Sequence, residues 1–81
     1  IDCSHGNSRK KASNQQKVVN SITNQMNNGN ESIMGIMVES FLEHGSQNIN
    51  DNNKQYGQSI TDECIGWDET ELLLTNLYQS I

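Results

Sequence analysis

At 81 residues, 32% of them hydrophobic and 19 of them Asn or Gln, the chain is too short and too polar to bury a large core of its own. A net charge of -5, with no basic run longer than Arg9-Lys10-Lys11, argues against a nucleic-acid surface. No apolar stretch approaches the roughly 20 residues that a membrane helix needs, and no signal peptide is evident.

In chain order, Ile1-Asp2-Cys3 reads as the tail of a strand that leads into turn chemistry at Gly6-Asn7-Ser8, with a helix N-cap there. Across 9–28 the apolar residues are Val18, Val19, Ile22 and Met26, and the four-residue spacing of 18, 22 and 26 predicts a helix with a narrow apolar stripe. Gly29 supplies its C-cap. Residues 33–38 are continuously apolar, the pattern of a parallel strand covered on both faces, and the run ends on Glu39. The polar stretch 41–58 is longer than ordinary connections and reads as either functional or disordered. Asp68 as N-cap and Glu71 three positions on form a capping box. The helix it opens is expected to bury Leu73, Leu74, Leu77, Tyr78 and Ile81, with Trp67 sealing its base in the core. The order strand, helix, strand, loop, helix is βα-βα, an α/β class.

His5 follows the first strand and Glu39 closes the second, an interval that suits one right-handed crossover between parallel neighbours. Both residues then sit at the C-terminal edge of the sheet, where α/β active sites lie. The long loop after Glu39 can return Asp62 to the same face. One imidazole and two carboxylates suit a divalent metal such as manganese, iron or zinc, and a cation would offset the desolvation of Glu39. Spacing alone leaves bland readings open. His5 fits a hydrogen-bonded turn residue, Glu39 the first solvated residue of a loop, and Asp62 a helix or turn cap beside Ser59 and Thr61. His44 reads as an exposed loop residue. Cys3 and Cys64 lack metal-finger spacing and make a weak disulfide case, so a reducing, cytoplasmic setting fits. Cys64 reads as a packed thiol. The absence of an initiator Met and of any Pro reads as a piece cut from a longer protein.

Three stretches, "IDCSHGNSRK" (1–10), "GIMVESFLEHGSQ" (35–47) and "YGQSITDECIGW" (56–67), resemble the C-terminal part of the type I 3-deoxy-7-phosphoheptulonate (DAHP) synthases. The likeness continues through "NQQKV" (14–18) and "NGNESIMG" (28–35). It implies that residues 1–81 are an incomplete C-terminal portion of a single (β/α)8 TIM barrel, its seventh and eighth βα units. It also implies condensation of phosphoenolpyruvate with erythrose 4-phosphate, releasing phosphate, at the entry to aromatic amino acid biosynthesis. The family's divalent cation (manganese, iron, zinc or cobalt) is held by a Cys, a His, a Glu and an Asp. The last three fall on His5, Glu39 and Asp62. The Cys ligand has no counterpart, since Cys3 lies in another motif and Cys64 matches a non-ligand position. Lys10 reads as a residue supporting the ligands or as a solvated helix-start lysine.

The Arg and Lys clamps for the anionic substrates are expected outside this chain, and the parent is expected to be a homo-oligomer. Departures from the family pattern are Ser46 within Gly45-Ser46-Gln47, a short polar 48–55 loop, and Glu63 beside Asp62, whose added negative charge bears on metal affinity. The isolated chain is expected to be inactive. A rival reading is a small acidic interaction module whose ordered parts are two amphipathic helices.

Overall fold

The computed structural model describes residues 1–81. The helix expected over 9–28 begins late. A single turn, α1 (His5–Ser8), is followed by a 3-10 turn at Ala12–Asn14 and then by α2 (Gln15–Asn27). Arg9 and Lys10 explain the delay: their φ angles of 55° and 61° are left-handed, which a continuous right-handed helix cannot contain. Once started, α2 buries Val19 and Ile22 and half-buries Val18 and Met26, the stripe its spacing predicts. Gly29, at φ 100°, ends it, donating its N–H to Met26 O at 3.1 Å.

The last helix, α3 (Trp67–Ser80), starts one residue before the expected cap. Glu69 rather than Glu71 reaches back, its Oε1 accepting the Gly66 N–H at 3.1 Å. Gly66 has no side chain to reciprocate, so only the acidic half of a capping box exists. The buried side of α3 is also narrower than expected. Leu73 is fully buried and Leu77 half-buried, whereas Leu74, Tyr78, Ile81 and Trp67 are exposed. Residues 73 and 77 lie one above the other, and α2 is the only helix packed against α3.

No regular strand forms, so the expected pair of barrel strands is not built by this chain. What forms is isolated bridges, three of them parallel: Asp2 with Met37, Ser40 with Ile65, and Ser46 with Ser59. Met37 N–H donates to Ile1 O and Cys3 N–H to Met37 O, both at 2.9 Å; Phe41 N–H donates to Ile65 O and Ile65 N–H to Glu39 O. The parallel adjacency of the first and second segments is therefore present, over a single bridge. Because residues 1–3 and 35–41 are ordered by these bonds, order is not confined to two helices, contrary to the rival reading.

Double coverage of 33–38 is likewise absent. Ile33, Ile36 and Val38 pack toward the core, while Met34 is 100% exposed and Met37 also faces solvent. The helices supply one layer and the chain has no second. The core is Cys3, Ala12, Val19, Ile22, Ile65 and Leu73. A radius of gyration of 14.1 Å exceeds the about 12 Å of a compact domain this long, consistent with extents of 50 × 23 × 16 Å. No helix is long and apolar enough to cross a membrane.

The 41–58 stretch is ordered by its own polar groups. Gln47 Nε2 donates to Gln55 O at 2.8 Å and Gln58 O at 3.0 Å, while its Oε1 accepts the Gln55 N–H. Gly57, at φ 79°, lies so close to Leu42 that an added Cβ would come within 2.9 Å of the Leu42 Cβ. From there the chain turns back, and Gly45 and Cys64 exchange both backbone hydrogen bonds in an antiparallel bridge. That bridge places Asp62.

Candidate metal centre

His5 opens α1 in the left-handed region, at φ 49°. The turn folds its ring over the residue three positions earlier, so that Nδ1 lies 2.9 Å from Asp2 Oδ2. Asp2 is itself held: its Oδ1 accepts the Ser4 N–H at 2.7 Å, and its carbonyl accepts from Asn7 Nδ2 at 2.7 Å. Glu39 is held through its backbone by a fully buried amide from α2. Gln15 Oε1 accepts the Glu39 N–H at 2.8 Å, and Gln15 Nε2 donates to Glu39 O at 2.9 Å. At the other end of the side chain, Ser4 Oγ donates to Glu39 Oε1.

These supports bring three sequence-distant groups together. His5 Nε2 is 3.1 Å from Asp62 Oδ2 and 3.6 Å from Glu39 Oε1, and one donor atom from each residue lies within 4.8 Å of the others. Donors bound to one cation at about 2.0–2.2 Å each are separated by distances of this order. A cavity of about 30 Å³ adjoins them, lined by Ser4, His5, Lys10, Glu39, Asp62 and Glu63. That is the space of one water or ion. Two carboxylates with a neutral imidazole carry a charge of -2, matching a divalent cation. Donor type, spacing and room all fit such an ion.

The electrostatics run the same way. The hydrogen bond from His5 holds the Asp2 carboxyl below its ordinary value. The Asp2 bond and charge, followed by the charge of Glu39, raise the His5 imidazole above its ordinary value. A protonated His5 donates from both ring nitrogens, to Asp2 and to Asp62; a cation would take the place of the Nε2 proton.

The turn-residue reading of His5 thus holds locally without excluding a ligand role. Asp62 caps nothing; the short turn before it is held by Ser59 Oγ accepting the Thr61 N–H. Glu63 is engaged elsewhere, its Oε1 accepting the Ala12 N–H at 2.7 Å. His44 is the exposed loop residue expected, and its Nδ1 lies 2.8 Å from Glu69 Oε1. Lys10 sits in the cavity wall. Both cysteines are free thiols, and desolvation pushes both pKa values up. Sequence reasoning missed Asp2, Ser4 and Gln15. The Asp-x-x-His spacing was a signal for the first of these; nothing local marks the other two.

The family model described as "DAHP synthetase I family" matches residues 1–75. The chain belongs to this family. Among its curated relatives, a putative phospho-2-dehydro-3-deoxyheptonate aldolase of Schizosaccharomyces pombe is 45% identical over 100% of this chain and 23% of its own length. The Tyr-sensitive phospho-2-dehydro-3-deoxyheptonate aldolase of Escherichia coli is 41% identical, again over 100% of this chain and 23% of its own length. A solved phospho-2-dehydro-3-deoxyheptonate aldolase from Francisella tularensis superposes with a TM-score of 0.93 at 43% identity, over 100% of this chain and 24% of that one. The chain therefore spans about a quarter of the length of these DAHP synthetase relatives, and His5, Glu39 and Asp62 all lie within the matched residues.

Proposed function

We propose that these residues form the metal-ligating part of a 3-deoxy-7-phosphoheptulonate synthase, corresponding to the seventh and eighth βα units of its (β/α)8 barrel. The whole enzyme condenses phosphoenolpyruvate with erythrose 4-phosphate. His5 Nε2, Glu39 and Asp62 hold a divalent cation, and a fourth ligand comes from outside this chain. When bound, the cation supplies Lewis-acid polarisation of the aldehyde of erythrose 4-phosphate for attack by C3 of phosphoenolpyruvate. The chain's own residues shape that site. Gln15 and Ser4 fix Glu39 at its two ends, and Lys10 offsets part of the negative charge contributed by Glu39, Asp62 and Glu63. The observation that carries this reading is the convergence of one imidazole and two carboxylates from three distant stretches to within 4.8 Å.

The test grafts this chain in place of the matching segment of the Tyr-sensitive Escherichia coli relative and measures synthase activity and bound metal. The graft is expected to be active. Glu39→Gln and Asp62→Asn should weaken metal binding by more than the about 10–100-fold typical of removing a supporting hydrogen-bond partner. Metal content and activity unchanged in both variants would overturn the proposal. The 81-residue chain alone should show no turnover, because open edges and a half-covered apolar face do not make a barrel.

A further inference from the structure

We infer that Asp2 is a positioning residue for the metal centre: its carboxylate accepts a hydrogen bond from the Nδ1–H of His5, leaving Nε2 as the nitrogen presented to the cation. The inference rests on the metal-centre reading and adds a residue to it. Its ground is geometric. An imidazole has two nitrogens, and which one can ligate is decided by the bond the other makes. Here the ring spans two carboxylates, with Nδ1 at 2.9 Å from Asp2 Oδ2 and Nε2 at 3.1 Å from Asp62 Oδ2. Asp2 and Asp62 are not equivalent. Asp62 lies with Glu39 beside the small cavity, whereas Asp2 is outside the cavity lining.

The anchoring of Asp2 separates it from an incidental surface partner. Its second carboxylate oxygen is occupied by the Ser4 N–H, its carbonyl by Asn7 Nδ2, and its backbone position by the bridge to Met37. The same Ser4 that donates its N–H to Asp2 donates its hydroxyl to Glu39. One residue therefore ties the orientation of the imidazole to that of a ligating carboxylate. His5 completes the arrangement with a left-handed backbone (φ 49°), a conformation uncommon for a residue with a side chain and of the kind found at functional sites.

The experiment measures zinc affinity in the grafted enzyme by competition with a chelating dye, for the parent graft and for His5→Ala, Asp2→Ala and Asp2→Asn. Asp2→Ala is expected to weaken zinc about 10–100-fold, and Asp2→Asn by a smaller factor, because its single amide oxygen can still accept from Nδ1–H but no longer from the Ser4 N–H as well. Long-range proton–nitrogen spectra of a graft labelled only in this segment, where His5 and His44 are the only imidazoles, should show Nδ1 of His5 protonated and Nε2 shifted by zinc. Zinc on Nδ1 overturns the inference on the parent graft alone, whatever the folding of the variants. Parent-like affinity in Asp2→Ala alongside a large loss in His5→Ala overturns the role of Asp2 and leaves the metal centre standing. Parent-like affinity in His5→Ala overturns both.

Discussion

Replacing Gln15 with Leu tests whether a buried amide, rather than apolar packing, sets the position of Glu39. The substitution keeps a similar bulk in a fully buried site and deletes two hydrogen bonds, of 2.8 and 2.9 Å. Their loss is unequal. Glu39 O also accepts the Ile65 N–H at 3.1 Å, so the carbonyl retains a partner, whereas the Glu39 N–H has only Gln15. An orphaned N–H costs about 1–3 kcal/mol and the second lost bond about 0.5–1.5 kcal/mol, together about 1.5–4.5 kcal/mol. If the Glu39 amide exchanges through local opening, its hydrogen exchange should quicken by about 10- to 2000-fold. Mass spectrometry of peptides covering 35–41 in the grafted enzyme reads this directly. Acceleration below about threefold in Gln15→Leu would refute the reasoning.

Two further outcomes follow from other hydrogen bonds of the chain. Glu63→Ala removes the acceptor of the Ala12 N–H at 2.7 Å and should lower the stability of the chain by about 1–2 kcal/mol in urea unfolding. Glu63→Gln, which keeps an acceptor, should cost less, and equal losses would contradict the capping role. The pH dependence has a defined sign. The raised imidazole of His5 stabilises the fold fully below 6.5, and that contribution fades as pH rises through the folded value; the lowered carboxyl of Asp2 contributes above 3.8 and fades as pH falls through its folded value. The metal-free chain should therefore gain more from this pair at about pH 5 than at about pH 8, and His5→Gln should shrink that difference. An unchanged difference in His5→Gln would rule the pair out as its source.

What the sequence revealed about the fold was largely periodicity. The α2 stripe of Val18, Val19, Ile22 and Met26 was legible because spacing fixes which face a helix buries. Where α2 begins was not, because the left-handed turn at Arg9 and Lys10 leaves no mark in residue type. The run 33–38 misled for another reason. Continuous apolarity reports how much cover a strand needs, and this chain provides cover on one side only, so Met34 stands in solvent. The width of the apolar side of α3 was overread in the same way. Leu74, Tyr78 and Ile81 have no partner layer within these residues.

The site was more legible than the fold around it. Histidine and carboxylates at the ends of strand-like segments carry their chemistry in their identity, and the interval between His5 and Glu39 constrained where they could meet. Their supports work through generic groups, a Gln amide on a backbone 24 residues away and a Ser hydroxyl on a carboxylate 35 away, which no local pattern distinguishes from ordinary surface polarity. This separates two properties of the chain. Its apolar surface is incomplete, with Met34, Trp67, Leu74 and Tyr78 exposed, while the polar bonds that hold Asp2, His5, Glu39 and Gln15 in place are all made within its own residues. The geometry of the centre therefore depends on directional hydrogen bonds more than on closure of an apolar core. Damage to the core should loosen the whole segment, whereas damage to Gln15 or Asp2 should displace Glu39 or His5 alone.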